Sequence, residues 1–243
     1  MKMRAFAIRN AKEILRDPLT LVFGIGFPLV LLFLLSAIQA NIPVPLFEIE
    51  HLVPGVAVFG LSFMTLFSAT IVSKDRSSAF LQRLYTTPMR PVDFILGYTL
   101  PLLPIALLQC IVCYLAAMLL GLVCSVKVLY AVLIHIPAAI FFIALGLLFG
   151  SVLREKQVGG ICGALLTNLC AWLSGTWFDL SLVGGAFEKI AGMLPFLHAV
   201  EMERNVLSGQ VTGITAHIFW VGGYAVAALL AAVYLFIRQM KRT

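Results

Sequence analysis

The side chains of this 243-residue sequence that could do chemistry are few, and the most isolated of them lie inside long apolar runs. A polar side chain in such a run either hydrogen-bonds a neighbouring helix or lines a path for a polar solute. The first role is the more common one for such residues. The candidates for the second role, a path for a solute, are Ser62, Thr65, Gln109, His135 and Asn168.

The sequence motifs of common enzymes are missing. There is no G-x-x-x-x-G-K-[ST] phosphate-binding loop, no G-x-S-x-G and no H-E-x-x-H. Ser174 and Gly175 match the end of an intramembrane serine-protease motif, but Trp172 stands where that motif requires glycine. Cys110 and Cys113 have no second cysteine pair or histidine pair near them in the sequence. We therefore expect no catalytic residue, no metal ion and no cofactor in this chain.

Composition indicates the class of protein. Hydrophobic residues make up 61% of the chain and charged residues 12%, with a mean hydropathy of +1.04. A soluble domain is about half apolar and about a quarter charged, so that class is excluded. A helix needs about 20 apolar residues to cross a bilayer. We predict an all-α integral membrane protein with a single transmembrane domain over 1–243 and six spans, at 19–38, 53–72, 100–123, 128–150, 158–178 and 214–237.

The basic residues predict the orientation of these spans. Fourteen of the 17 Lys and Arg residues fall in the two terminal segments and in the loops that follow spans two and four. The positive-inside rule therefore places both termini in the cytoplasm. Glu201 and Glu203 fall among the acidic residues of the outer loops. The stretch before the first span is too long and too charged for a cleavable signal. Because the basic excess belongs to these cytoplasmic segments, we expect no nucleic-acid partner.

Two segments outside the spans are predicted to be helical without crossing the bilayer. Residues 3–17 are amphipathic, which favours a helix in the cytoplasmic membrane interface over a solvated flank. The apolar face of this helix consists of Met3, Ala7, Ala11, Ile14 and Leu15, and Phe6 breaks the pattern. The outer segment 180–196 is apolar but interrupted by glycines, charges and Pro195. That pattern is typical of a re-entrant or interfacial broken helix.

The loop over 73–93 is the longest cytoplasmic connection. Ser77 and Ser78 can cap a helix over 79–85, and Thr87-Pro88 ends it. This short helix combines bulky apolar side chains with an arginine in a region exposed to the cytosol. Such a surface needs a partner, which is either the bilayer or another protein.

Several features together resemble the ABC-2-type transporter permeases, and the resemblance covers nearly the whole chain. In that family the segment between spans two and three reads like R-x-x-G-T-L-E-x-L-x-x-[ST]-P-[LM], followed by [IL]-L-G. Here residues 76–89 read RSSAFLQRLYTTPM, and Ile95-Leu96-Gly97 follow. Leu84, Thr87-Pro88 and Leu96-Gly97 match the family pattern, whereas Ala79-Phe80 and Gln82 replace its Gly-Thr and Glu.

The resemblance implies that the helix over 79–85 is a coupling helix that inserts into a groove on a separate ATP-binding-cassette subunit. It assigns docking to Phe80, Leu81, Arg83 and Leu84, with Pro88 fixing the exit of the chain. ATP and Mg²⁺ would bind in that partner ATPase. The chain would be the permease subunit of an ATP-driven exporter in the cell (inner) membrane, surrounded by membrane lipids and paired with a second copy or a similar permease. The segment 180–196 would help close the outer gate.

The apolar spans favour an amphipathic cargo, which is a lipid, a peptide or a drug. Export of a drug would correspond to multidrug resistance. Alternating access driven by the ATPase fits a chain without a nucleotide-binding loop and without charges in its predicted spans. The alternatives are an importer of the same fold, a passive channel or carrier, a membrane enzyme, and an assembly scaffold.

Overall fold

The computed structural model describes residues 2–78, 80–87, 89–210 and 212–240, and within these ranges every regular element is helical. Two short stretches are π-helical, at Val22–Gly26 and Gly159–Leu166, and Leu180–Leu182 forms a 3₁₀ turn. The α-helices are α1 (Lys2–Leu15), α2 (Pro18–Leu21), α3 (Phe27–Gln39), α4 (Ile49–Ser77), α5 (Phe80–Tyr85), α6 (Pro91–Leu119), α7 (Val126–Val152), α8 (Glu155–Val158), α9 (Thr167–Leu173), α10 (Gly185–Met193), α11 (Pro195–Ser208) and α12 (Ile214–Met240).

Among the described residues, five helices are long and apolar enough to cross a membrane. They are Val22–Gln39, Ile49–Ser77, Pro91–Leu119, Val126–Val152 and Ile214–Gln239. A helix satisfies all its backbone hydrogen bonds internally, which is why such apolar segments are helical in lipid. The chain is thus a multi-pass membrane protein. α6 begins nine residues before the predicted third span and runs as one helix through Pro101 and Pro104.

The segment predicted as a fifth span, 158–178, differs in its bounds. Its helical turns run from Glu155 to Leu173 through the π-helical stretch, and they lie outside the five apolar helices. Thr167 and Asn168 dilute its hydrophobicity, and the helix ends where the chain turns at Ser174 and Gly175, whose φ is +68°. Only glycine adopts such a backbone conformation at little cost. That these turns cross the membrane stays a prediction.

α4 is the central helix of the bundle. In the most apolar stretch of α4, 89% of the residues are buried inside the protein. The corresponding share is 17% for Val22–Gln39 and 22% for α12. Gly146 and Gly150 of α7 allow the closest packing on α4, because a Cβ at these positions would lie 2.5 Å and 2.7 Å from the carbonyl oxygens of Thr65 and Ala69. This G-x-x-x-G ridge therefore packs two helices of the same chain together.

Hydrogen bonds show which segments share one end of the bundle. Arg76 at the end of α4 donates to the carbonyl oxygens of Ser151 and Leu153, at the end of α7. Gln239 at the end of α12 donates to the Ser151 oxygen at 2.7 Å. We call the end of the bundle that holds Arg76, Ser151 and Gln239 the basic end. The opposite end holds the connections over 40–48, 120–125 and 174–213.

α1 packs on the protein with a face that is rotated from the predicted one and shares Ile14 with it. Its buried side chains are Phe6 (6% exposed), Asn10 (0%) and Ile14 (2%), while Leu15, placed on the apolar face from sequence, is 63% exposed. The reason is tertiary contact with α6, because the Phe6 ring packs edge-on against Tyr98 with ring centroids 4.9 Å apart. The residue that broke the sequence pattern is thus a principal contact of the helix.

The segment 180–196 forms two helical pieces, the Leu180–Leu182 turn and α10, and the chain breaks again before α11 begins at Pro195. α11 packs on α4, α7 and α12. Glu203, which was predicted to lie in an external loop, does not face water, because its side chain is 0% exposed within the bundle. The reason is helical spacing: Ala199, Val200 and Leu207 share the buried side of α11 with Glu203.

Candidate functional site

α5 connects the central helix α4 to α6 at the basic end. Leu81, predicted to dock on a partner, is 0% exposed and packs in the main hydrophobic core of this chain. Its burial against the rest of the fold corrects the expectation that its side chain is available to another subunit. Gln82 and Arg83 are exposed, and Leu84 is half-buried. Pro88, predicted to fix the exit of the chain, lies outside the described residues.

Phe80 is also held by this chain. The guanidinium carbon of Arg9 lies 4.6 Å from the centre of the Phe80 ring, which is a cation–π distance. The Phe6 ring also contacts Phe80, with the two ring centroids 6.4 Å apart. Arg9 and Phe6 both belong to α1, so the N-terminal helix covers the start of α5.

A buried ion pair connects α1 to the end of α4. Arg9 donates to both carboxylate oxygens of Asp75, at 2.7 Å and 2.8 Å, and Asp75 is 1% exposed. The Tyr98 hydroxyl of α6 donates to the same carboxylate at 2.8 Å. Burial opposes the charge of Arg9, but the hydrogen bond and charge of Asp75 outweigh it and raise the pKa of Arg9. The carboxylate is therefore satisfied by two other helices.

Further polar contacts complete this junction. Glu13 accepts from Arg9 at 2.6 Å and from Lys74 at 3.0 Å, which connects α1 to α4 a second time. The Asn10 side chain donates to the Gly97 carbonyl oxygen of α6 at 3.0 Å, although Asn10 is fully buried. Together these contacts fix α1 across the ends of α4 and α6.

Tyr85, the last residue of α5, faces α6 and α12. Its ring packs edge-on against Phe94 at 5.4 Å between centroids, and its hydroxyl donates to Gln239 at 3.5 Å. Burial raises the pKa of Tyr85 to about 12, although the charge of Arg76 acts in the opposite direction. With Leu81 and Tyr85 turned inward, the outer surface of α5 and the turn after it consists of Gln82, Arg83 and Thr86.

Four of the five predicted path residues are fully buried inside the chain. Ser62 donates to the Phe59 oxygen at 2.7 Å, Thr65 to the Phe142 oxygen at 2.7 Å, and Gln109 to the Ala57 oxygen at 3.3 Å. The bonds of Thr65 and Gln109 join separate helices, which is the alternative role weighed for them. His135, the fourth, contacts Glu203 and is treated below.

Asn168 is the exposed member of the five. It lines a groove of about 390 Å³ together with Thr167, between the Val22–Gln39 segment, α4 and α9. The rest of the groove is largely aromatic: Phe23, Phe27, Phe59, Phe63, Trp172 and Trp177. Trp172 is 58% exposed at its edge. A groove of this kind offers ring faces to apolar groups and two polar side chains to hydrogen-bonding ones.

A buried polar cluster, in the half of the bundle away from the basic end, was not predicted from the sequence. His135 Nδ1 of α7 lies 2.6 Å from Glu203 Oε1 of α11, and the Tyr114 hydroxyl of α6 donates to Glu203 Oε2 at 2.8 Å. All three residues are almost completely buried. The signal in the sequence was the position of Glu203 among the buried residues of α11, but its partners are 68 and 89 residues away.

Comparison with known proteins gives two similarities. A protein-family profile described as ABC-2 type transporter matches residues 1–208. Nodulation protein J of Bradyrhizobium diazoefficiens is 25% identical to the chain over 240 residues, which cover 98% of this chain and 90% of that protein.

Proposed function

Because this chain belongs to the ABC-2 type transporter family, the membrane components of ABC transporters that normally work with a separate ATP-binding subunit, we propose that it is the permease subunit of an ATP-driven exporter. In this proposal α5 is the coupling helix, the basic end faces the cytosol, and ATP and Mg²⁺ bind in the partner ATPase. The helical turns over 155–173 are then the fifth of six crossings of the bilayer.

The observation that carries the proposal is the way α5 is fixed to the transmembrane helices. Leu81 is buried in the core, and the Arg9–Asp75–Tyr98 contacts join α1, α4 and α6 around the start of α5. A displacement of α5 therefore moves α4 and α6 with it, because packed cores transmit strain with little compression. The exposed Gln82 and Arg83 remain available for the partner.

The position of α4 explains how such a displacement would change access. α4 packs on α3, α6, α7, α9 and α11, so it contacts both the aromatic groove and the helix α11 of the opposite end. Tilting α4 at the basic end would change both regions in one movement. The ATPase drives this change if its nucleotide-bound form binds one arrangement of the permease more tightly than the other.

The aromatic groove is the surface of this subunit that we propose for the cargo. It presents the rings of Phe27, Trp172 and Trp177 beside Asn168 and Thr167. This combination suits an amphipathic cargo such as a drug, a lipid or a peptide. A second permease, identical or similar, would close the open side of the groove.

A photo-crosslinking experiment tests the coupling contact. A benzoylphenylalanine residue in place of Arg83 should crosslink to a protein that carries a G-x-x-x-x-G-K-[ST] loop, as identified by mass spectrometry of native membranes. The matched control places the same residue at Lys189, which is exposed at the opposite end of the bundle. Equal crosslinking from both positions, or none from Arg83, would contradict the proposal.

Charge reversal gives a functional measurement on the same surface. Arg83→Glu should reduce the Mg-ATPase activity that co-purifies with the chain at least tenfold, while Lys189→Glu should leave it unchanged. Arg83 is a better choice than Phe80, because Phe80 contacts Arg9 and Phe6 and its replacement would disturb the junction itself. Solute flux through the purified chain without any nucleotide would favour a passive carrier instead.

A further inference from the structure

Three side chains with metal-binding atoms meet inside the bundle. Cys110 of α6, His135 of α7 and Glu203 of α11 are each 0% exposed, and one ligand atom from each lies within 4.8 Å of the other two. They are far apart in sequence, and each comes from a different helix. His135 lies nine residues into α7, so the cluster is roughly 14 Å from the start of that helix at 1.5 Å per residue.

The hydrogen bonds of this cluster leave one polar atom without a partner. His135 Nδ1 contacts Glu203 Oε1, but His135 Nε2 is buried with no hydrogen-bond partner among the described residues. A buried polar atom without a partner is costly, and a carboxyl group in a membrane bundle more so. Glu203 also lies near the Cys110 thiol, a group with little capacity to stabilise a negative charge.

We propose that Cys110, His135 and Glu203 bind one Zn²⁺ ion. Sulfur, imidazole nitrogen and carboxylate oxygen are the three donor types that zinc takes from proteins. A thiolate and a carboxylate together neutralise the two charges of the ion, and the neutral imidazole adds none. The bound cluster therefore has no net charge, which suits its place inside the bundle.

Tyr114 positions the carboxylate ligand. Its hydroxyl donates to Glu203 Oε2 at 2.8 Å, so it restricts the orientation of the carboxyl group without binding the ion. Hydrogen bonds of this kind to a metal ligand commonly tune affinity. The ion would join α6, α7 and α11, and so hold the inserted helix α11 against the two long helices.

Zinc binding has a defined proton balance. Cys110 gives up its thiol proton to become a thiolate, and the proton between His135 Nδ1 and Glu203 Oε1 is released when these two atoms bind the ion. The imidazole stays neutral because the ligand form carries its one proton on Nε2.

Direct metal measurements on the purified full-length chain test this site without any transport assay. After chelation and titration with ZnCl₂, plasma mass spectrometry should find one zinc per chain in the wild type. Cys110→Ser and Glu203→Gln should each weaken binding at least tenfold. Cys170→Ser is the matched control, because Cys170 is equally buried but lies outside the cluster, and it should bind zinc like the wild type.

Cobalt substitution tests the ligands themselves. Co²⁺ in the wild type and in Cys170→Ser should give thiolate-to-metal charge transfer and tetrahedral d–d bands, and Cys110→Ser should lose the charge-transfer band. Thermal melting identifies any variant that fails to fold. If Cys110→Ser fails to fold, Cys110→Ala replaces it. Zinc absent from the wild type, or retained fully by Cys110→Ser and Glu203→Gln, would overturn the site. These measurements need no ATPase, so their outcome is independent of the proposed export function.

Discussion

Gly97 of α6 lies directly against the ring of Phe6 of α1, and a methyl group at residue 97 would overlap the ring carbons. The Gly97 carbonyl oxygen also accepts the hydrogen bond from the buried Asn10 side chain. The Leu-Gly pair in the family-like segment thus has a physical explanation in this chain. A side chain at residue 97 would push α1, and the Arg9 that it carries, away from α4 and α6.

We therefore expect Gly97→Ala to destabilise the protein by about 1–3 kcal/mol, the usual cost of overpacking, despite the better helix propensity of alanine. Thermal melting in detergent measures the change. The control is Gly222→Ala on α12, where a Cβ would meet nothing within 4 Å and the stability should not fall. The double variant Phe6→Ala with Gly97→Ala should lose less than the two single losses combined, and strict additivity would argue against this contact.

The Arg9–Asp75 pair should show strong energetic coupling. Arg9→Gln leaves the buried Asp75 carboxylate without its cation, and Asp75→Asn leaves Arg9 with the Glu13 counter-charge alone. Each change should therefore cost stability, and the double variant should cost less than their sum. A double-mutant cycle from unfolding measurements should give a coupling energy of about 1–3 kcal/mol. Lys12→Gln, an exposed change on the same helix, is the control for loss of charge. A coupling energy near zero would mean that the junction does not depend on this ion pair.

The spans were predictable because apolarity along the sequence is a local property, and the five long helices lie where the apolar runs are. The face of α1 was not predictable in the same way. Phe6 breaks the 3.6-residue pattern of its own helix, and only the absence of a side chain at Gly97, in another helix, makes room for it. Local periodicity contains no information about such a partner.

The polar residues show the same limit more clearly. Charge counting assigned Glu203 to an external loop, because it lies between the fifth and sixth predicted spans. In the fold, Glu203 is paired with His135 and Tyr114, while Arg204 donates to the His51 and Gly175 carbonyl oxygens. Arg204 also pairs with Glu201 at 2.9 Å, three residues away, but both partners of Glu203 are distant in sequence, so the burial of Glu203 could not be read from the segment alone.

Tyr85 gives a prediction for alkaline pH. Burial raises its pKa to about 12 in the folded protein, whereas the unfolded chain has a value near 10. Between these values the unfolded state loses the proton and the folded state keeps it, so stability should fall as the pH rises from about 10 to about 12. Tyr85→Phe should lose less stability than the wild type over this range. Parallel stability–pH curves for the two proteins, compared by melting temperature, would contradict the buried position of this phenol.

Cysteine accessibility should separate the exposed path candidate from the buried one. In a Cys124→Ser background, which removes the exposed native cysteine, Asn168→Cys should react with a water-soluble maleimide because Asn168 lines the open groove. Thr65→Cys should not react, because Thr65 is fully buried between α4 and α7. Labelling is read by gel shift after membrane solubilisation. Protection of residue 168 in the folded protein, with labelling after denaturation, would place it against lipid instead of water.

The number of crossings can be measured with pairs of exposed positions on either side of the helical turns over 155–173. Lys156→Cys lies before these turns, and Leu182→Cys, at a residue 76% exposed, lies after them. In the Cys124→Ser background, a membrane-impermeant maleimide should label Lys156→Cys, and Arg83→Cys on α5, only in inside-out vesicles. It should label Leu182→Cys only in right-side-out vesicles. That outcome would place the basic end in the cytosol and make these turns a complete crossing. Labelling of residues 156 and 182 from the same side would mean that the glycine-rich π-helical stretch enters and leaves on one face, and that the chain crosses five times.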